Sequence, residues 1–482
     1  MTIRIFTPET GFVQDMADVV RLFFGAEAIC FNEEGEADVR IEHAVRREDG
    51  HWRDQFGGGP VSVLRAQGAD GEGELEQKRL RKRAVKLALY EYCKRLTGVR
   101  PPWGSLTGIR PSRLYYEALE AGLDPVRTLV DEFDVTPERA ALLDEMHQMQ
   151  AGLRESPADS FDVYVGIPFC RTRCAYCSFS SGEIGDGHLV APYVSALRRE
   201  IYGAARITRD QGLRARAVYV GGGTPTAIPR EALEEVLLAA REAFPGAVEW
   251  TVEAGRPDTV DGPMLEMLLR MGTTRISINP QTFNDITLSR IGRAHTSQET
   301  VAAYRLAREA GFSDINMDLI AALPGESVAD FERSLEETIR LGPESVTVHA
   351  LAIKRSSRLH ERMHVEAGGH GLTPAGEAAR MTALARERLH GEGYLPYYLY
   401  RQKYMAGNLE NVGYARSGRA CLYNIGNMEE TARVLALGAG AITKWLFDRA
   451  WRIERAPNVK NIEAYIERVD EMVRRKRALI CP

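Results

Sequence analysis

The sequence has no apolar run long enough to cross a bilayer, and its N-terminus shows no basic segment followed by an apolar one. Neither a membrane span nor a secretory leader is therefore expected, and a cytoplasmic protein is. An excess of either charge is also missing: 62 basic residues stand against 67 acidic ones, a net charge of −5. Nucleic-acid surfaces carry a basic excess over a whole domain, so no nucleic-acid partner is expected. The local basic clusters Gln77–Lys86 and Arg474–Arg477 are better explained as solvated helix faces than as binding patches. Cysteine is scarce, with seven in 482 residues. A disulfide framework would spread an even number through a short secreted chain, and this chain is neither short nor even in its count. Three of the seven, Cys170, Cys174 and Cys177, fall within eight residues, a spacing that favours metal or redox chemistry. Cys30, Cys93, Cys421 and Cys481 are scattered, as small buried hydrophobes are.

What is present is an ordinary globular composition, 44% apolar and 27% charged, in a chain long enough for two or three structural units. Residues 1–70 read as short strands (RIF, AICF, ADVRIEHAV, PVSVLRA) around one helix, VQDMADVVRLFF. From Glu74 to about Ala151 the pattern turns helical, interrupted by the proline-rich loop VRPPWGSLTGIRP. From Phe161 buried strands alternate with amphipathic helices. The strands are FDVYVGI, ARAVYVGGG, AVEWTVEAG, TRISINP, DINMDLI and SVTVHALAI. Such alternation implies a parallel sheet, and six units fall short of an eightfold barrel. The expectation is an α/β fold. A partial (β/α)6 barrel spans 156–366, after an N-terminal α+β domain of unknown role (1–155) and before a mostly helical C-terminal domain (367–482) that covers the substrate site. Reactive groups should gather at the C-terminal ends of the strands.

Cys170-Arg-Thr-Arg-Cys174-Ala-Tyr-Cys177 directly follows the first of these strands. A loop there can wrap an iron–sulfur cluster, giving three thiolates to three irons and leaving one iron open for chemistry. A zinc knuckle would need a fourth ligand, and the nearest histidine is His188 in a glycine-rich loop. Three glycines end the next strand, Gly221-Gly222-Gly223-Thr224-Pro225-Thr226. They allow close backbone approach, so their N–H groups can hold a carboxylate, although a merely tight turn has the same pattern. Glu253, Gln281, Arg293 and Asp318 lie at or just past the ends of later strands. Any one could be a structural cap, but four converging on one rim point to a polar ligand.

YVGIPFCRTRCAYCSF resembles the cluster loop of the radical S-adenosylmethionine (SAM) superfamily, in its oxygen-independent coproporphyrinogen III oxidase/dehydrogenase family. The glycine turn, TVEAGRP (Thr251–Pro257), PQTFND…IGRAH (Pro280–His295) and DLIAALPG (Asp318–Gly325) resemble further motifs of that family, in the same order. The resemblance implies a 4Fe-4S cluster on Cys170, Cys174 and Cys177, with SAM as second cofactor. It implies that Tyr164 and Tyr176 touch SAM, that Gly222, Gly223 and Thr224 hold its methionyl part, and that Glu253 pairs with its ammonium. Gln281, Arg293 and Asp318 would meet its carboxylate and ribose, and Ala352 would line the adenine or a second SAM. The implied reaction is oxidative decarboxylation of coproporphyrinogen III propionates to vinyl groups, in haem biosynthesis, with electrons from a donor such as flavodoxin or ferredoxin. Lys354, Arg355 and Arg358 could pair with the propionates. Two departures mark a HemZ-like subgroup: Gly166 where the family often has histidine, and the long segment before the barrel. The alternatives are a haem chaperone on the same scaffold or an enzyme of another tetrapyrrole. The chaperones' HNxxYW pattern is missing from the comparable stretch, Gly407–Val412.

Overall fold

The structure, a computed structural model, describes residues 1–24, 28–65, 74–108, 110–177, 181–352, 375–402, 408–447 and 452–481. They form two compact units, Met1–Asp144 and Glu145–Pro482. Lys354, Arg355 and Arg358 lie outside the described residues.

In the first unit five strands form one sheet: β1 (Thr2–Phe6), β2 (Ala28–Phe31), β3 (Val39–Glu48), β4 (His51–Phe56) and β5 (Val61–Arg65), in the order β2-β1-β3-β4-β5. β1 shows why one face is covered: Ile3 and Ile5 are buried, and the alternate Thr2, Arg4 and Phe6 are not. The buried face packs with Met16, Val19 and Val20 of helix α1 (Val13–Val20) and with Val85, Ala88 and Leu89 of α2 (Glu74–Thr97). Helices α3 (Ser112–Glu120) and α4 (Pro125–Phe133) follow, and α5 (Pro137–Met149) leads in sequence into the second unit. Asp124 starts α4 by accepting from Arg127 N–H, with Pro125 at the first helical position.

The second unit is built on an eleven-stranded sheet. Six of its strands run parallel and lie side by side in chain order: β6 (Ser160–Ile167), β9 (Arg214–Gly222), β10 (Glu249–Glu253), β11 (Arg275–Ser277), β12 (Ile315–Ala321) and β13 (Ser345–Ala350). The short pair β7 (Phe169–Cys170) and β8 (Gly182–Glu183) stands apart. Between the six strands run α6 (Val190–Asp210), α7 (Arg230–Ala243), α8 (Gly262–Arg270), α9 (Asp285–Arg290), α10 (Ser297–Ala310) and α11 (Val328–Leu341). Local signals set the helix ends. Capping boxes at Thr296/Glu299 and Ser327/Asp330 begin α10 and α11, and Gly311 and Gly342, both at positive φ, end them. The strand–helix alternation of the sequence is thus realised as six adjacent parallel strands with helices against one face.

The region after residue 366 gives helices Ala375–Gly391, Leu422–Met428 and Ile462–Ile480. It also adds five strands to the same sheet: β14 (Leu395–Tyr400), β15 (Asn411–Ala415), β16 (Val434–Leu437), β17 (Ile442–Phe447) and β18 (Arg452–Pro457). β15 runs antiparallel beside β13, whereas β16 runs parallel beside β6.

Candidate active site at the C-terminal ends of the strands

Paired residues in neighbouring strands share a face, and the register therefore shows what each face carries. Tyr164 pairs with Tyr219, Tyr219 with Thr251, Glu253 with Ser277, Ser277 with Asn316, and Asp318 with Thr347. One face of the six strands is polar and aromatic. The other carries Val163, Val165, Val218, Val220, Val252, Ile276 and Ile315, packed with the helix residues Leu197, Leu233, Leu265 and Ala307. A parallel strand buried between two apolar layers reads as a nearly continuous hydrophobic run. These strands alternate because their second face lines a site.

The cysteine loop is tied down at both of its flanks. Gly223 and Thr224 N–H groups donate to the Ile167 and Phe169 carbonyls, both at 2.8 Å, and Ile184 N–H donates to Cys170 O at 2.8 Å. On the far side Ala175 N–H donates to Ile291 O at 2.9 Å, in the IGRAH segment. Arg256, only 2% exposed, donates to Thr172 O at 3.1 Å and to Thr172 Oγ1 at 2.7 Å, while Asp258 holds its Nε at 2.9 Å. Cys170, Cys174 and Cys177 are all half-buried. Burial pushes the Cys170 thiol up, opposed by hydrogen bonds from Thr224, whose Oγ1 lies 3.7 Å from the sulfur, and Ser181. Among the described residues, no three His, Cys, Asp or Glu side chains gather at the distance of one shared metal ion.

The glycine turn packs against this loop more closely than any side chain would allow. A Cβ on Gly223 would stand 2.5 Å from Phe169 O and 2.9 Å from Cys170 Sγ, and one on Gly221 would stand 2.8 Å from Glu253 Cδ. Gly222 lies at φ +116°. Glu253 accepts a 2.6 Å hydrogen bond from Tyr219 Oη. Burial pushes its carboxyl up to about 7, and the nearby Asp318 adds to this, against the opposing bonds from Tyr219 and Gly222 N–H. A half-buried carboxyl poised in this way favours a cationic ligand group.

The other expected residues surround the same rim. Gln281 holds φ +66°, a left-handed conformation costly for a side-chain-bearing residue. Its N–H donates to Asp318 O at 2.8 Å and its carbonyl accepts from Ile320 N–H at 2.9 Å, so it is clamped to β12 with its buried Oε1 unpartnered. Arg293, 7% exposed, donates to the carbonyls of Asn279, Pro280 and Gly255, joining the ends of β10 and β11. Burial opposes its charge, but Tyr176 and Cys174 outweigh this and raise it. For Asp318, burial is the largest influence and pushes up; His349 at 3.7 Å, Asn316 Nδ2 at 2.7 Å and Thr347 together bring the carboxyl below its ordinary value. Tyr164 stacks at 6.4 Å from both Tyr219 and Tyr423, and Tyr176 and Ala352 border one apolar cluster with Ile291, Ile320 and Leu351.

Cys421 lies elsewhere. Its thiol donates to Glu249 Oε1 at 3.2 Å, and Glu249 is the first residue of β10, at the end of the sheet opposite the cysteine loop. The Glu249 carboxylate also accepts from the N–H groups of Leu422 and Tyr423 and pairs with Arg275, so Cys421 belongs to a buried structural knot. The sequence reading missed Arg256, Tyr219, Asn316 and His349. The last three were legible as polar residues at every second position of a parallel strand; Arg256 had no such signal.

Residues 164–338 match the Radical SAM superfamily. The chain is 34% identical over 470 residues to the oxygen-independent coproporphyrinogen-III oxidase-like protein HemZ of Bacillus subtilis, covering 94% of this chain and 93% of that one. The haem chaperone HemW of the same organism is 28% identical over 282 residues, covering 58% of this chain and 69% of its own. Among solved structures, coproporphyrinogen III oxidase (HemN) from Escherichia coli superposes with a TM-score of 0.53 at 22% identity, over 68% of this chain and 72% of that chain. The superfamily's cofactors are a 4Fe-4S cluster and SAM. The residues present fit both: three thiols on one tethered loop, a glycine turn against it, a half-buried carboxyl, and the unpartnered buried atoms Gln281 Oε1, Asn279 Oδ1 and Ser277 Oγ on the polar face.

Proposed function

The chain belongs to the radical SAM family of oxygen-independent coproporphyrinogen-III oxidase-like proteins, and on that footing we propose that it decarboxylates propionates of coproporphyrinogen III oxidatively, leaving vinyl groups. When bound, the two cofactors supply the organic radical that takes a hydrogen atom from the propionate β-carbon. Loss of CO₂ from the substrate radical, with one electron passing to an external one-electron acceptor, completes each vinyl group.

The chain's part is to bind, orient and exclude water. Cys170, Cys174 and Cys177 would hold the cluster by three of its irons, leaving one open for SAM. The glycine turn Gly222-Gly223-Thr224, its N–H groups tied to Glu253, Ile167 O and Phe169 O, would hold the methionyl part through close backbone approach, and Glu253 would pair with its ammonium. Arg293 would pair with its carboxylate and the unpartnered amide oxygen of Gln281 would accept from a ribose hydroxyl, with Asp318 held ionised by His349 and Asn316. Tyr164, Tyr176 and Ala352 supply the apolar wall. A one-electron donor of the flavodoxin or ferredoxin kind would supply the electron to the cluster.

The observation that carries the oxidase reading is the likeness to an oxidase-like relative along nearly the whole chain, with HNxxYW absent. The HemW likeness supports haem delivery as the second reading. Anaerobic turnover with SAM and coproporphyrinogen III separates them. The oxidase reading expects 5′-deoxyadenosine to form faster with substrate, and product masses lowered by CO₂ plus two hydrogens per propionate. Absence of decarboxylated product, with haem passing to an acceptor protein, establishes the chaperone reading instead.

A further inference from the structure

We propose that a cationic cavity in the first unit binds a small phosphate-bearing organic ligand, at a site separate from the radical chemistry. The cavity, about 290 Å³, lies between α2, the turn Ser105–Gly108 and α3. Helix α2 lines it with Arg79, Lys82, Arg83 and Lys86, a spacing of i, i+3, i+4 and i+7 that sets all four on one stripe. Arg110 and Arg113 add two more cations from the other side, and Glu117 is the one acidic residue of the lining. The unit as a whole is acidic, with 25 acidic against 20 basic residues in 1–144. Six cations against one carboxylate is therefore a local concentration, and like charges at i, i+4 repel unless something outside the helix balances them. The basic run is sorted by face. Arg81, which points the other way, is taken up in the interior by Asp54 and Glu9.

Glu117 shows what this lining does to an anion. Its carboxylate meets Arg79 at 2.6 Å, Arg113 at 3.0 Å and Arg83 at 3.4 Å. Burial pushes the carboxyl up, but these guanidiniums hold it below its ordinary value. One carboxylate thus stands among three guanidiniums, and Lys82 meets Asp15 at 3.6 Å. Lys86 Nζ donates to Thr107 Oγ1, fixing the turn to the stripe. Guanidinium forks match phosphate oxygens in pairs, and phosphate brings more charge per group than a carboxylate. Leu87, Leu106 and Phe133 give the cavity an apolar side for the ligand's organic part. The volume sits at the small end of ligand pockets, which suits a nucleotide-sized molecule and excludes a tetrapyrrole.

The test uses the full-length protein with saturating SAM, so that an adenosine-recognising SAM site is already filled. ATP and inorganic pyrophosphate are titrated by calorimetry against wild type, Lys82→Gln and Arg83→Gln, with circular dichroism and iron content confirming that each variant is intact. The proposal expects saturable binding to wild type, weakened about tenfold in either variant. Absence of saturable binding at millimolar ATP and pyrophosphate overturns it, as does equal affinity in all three proteins. Binding of a single-stranded oligoribonucleotide with steep salt dependence, and of neither small ligand, overturns it in favour of a nucleic-acid backbone. If pyrophosphate and ATP bind but decarboxylation is absent, the proposed reaction fails and this site stands.

Discussion

Glu253 holds a half-buried carboxyl against a glycine turn whose Gly222 N–H donates to it. With its folded-state value at about 7 and its ordinary value at 4.5, the folded protein retains a proton there between those pH values that the unfolded chain has lost. The free protein is accordingly destabilised as pH rises from about 4.5 through 7. A cationic ligand reverses the preference, because it pairs with the ionised form alone. SAM affinity should rise about tenfold between pH 6 and pH 8, with release of a proton on binding at neutral pH. Calorimetry in buffers of different ionisation enthalpy measures both. In Glu253→Gln the affinity should fall on the order of tenfold to a hundredfold at pH 8 and become independent of pH. A variant that keeps wild-type affinity and pH dependence would show that the ammonium binds elsewhere.

At the scale of elements, the parallel strands and their helices were legible because each carries its own signal: a short apolar run, an amphipathic repeat, a capping box, a glycine past the end. The site's rim was legible at Glu253, Gln281, Arg293 and Asp318 because strand ends are where a fold of this kind exposes side chains. β16 was not legible as a neighbour of β6, since a four-residue apolar stretch says nothing about which edge it joins. Arg256 was hidden for a related reason. Its contacts to Thr172 cross 84 residues of sequence, and an arginine after a strand looks like any loop charge until the cysteine loop is folded over it. That contact makes a prediction about the loop as an element. Arg256→Ala removes two hydrogen bonds to Thr172 and the buried partner of Asp258, and loosens the segment that carries Cys170 and Cys174. The variant should reconstitute with less iron and lose its cluster several-fold faster to a chelator, while Arg256→Lys, which keeps one donor, should fall between. Cluster content and loss rate equal to wild type in the alanine variant would mean the loop holds its shape unaided.

Across the molecule's larger unit, the chain's last helix is joined to the first helix of the parallel sheet through one enclosed ion pair. Lys476 and Glu200 have no exposed side-chain surface and meet at 2.7 Å. Every remaining polar atom of the pair has a partner. Glu200 also accepts from Tyr465 Oη at 2.6 Å, Gly438 N–H at 2.7 Å and Asn458 Nδ2 at 2.8 Å, and Lys476 donates to Asn458 Oδ1 at 2.7 Å. Tyr193, from α6, continues the network by donating to Gly166 O at 2.6 Å and accepting from Ala439 N–H at 3.0 Å. The glycine that stands where the family often has histidine is thus reached by the same network that holds the Gly438–Gly440 turn. A Cβ on Gly438 would come within 2.4 Å of Gly166 O, so the two backbones meet directly. Removing one charge of such a pair leaves the other buried and uncompensated, which costs about 3–5 kcal/mol, whereas replacing both with apolar groups of similar shape is often neutral. Lys476→Met should therefore lower the denaturation midpoint of the second unit strongly, and Glu200→Gln combined with Lys476→Met, which leaves no uncompensated charge there, should recover part of the loss. Because the network ends at Gly166, one residue before the strand gives way to the cysteine loop, Lys476→Met should also reduce cluster retention before the unit unfolds. Equal midpoints for the single and double variants would show that the pair acts through volume rather than charge.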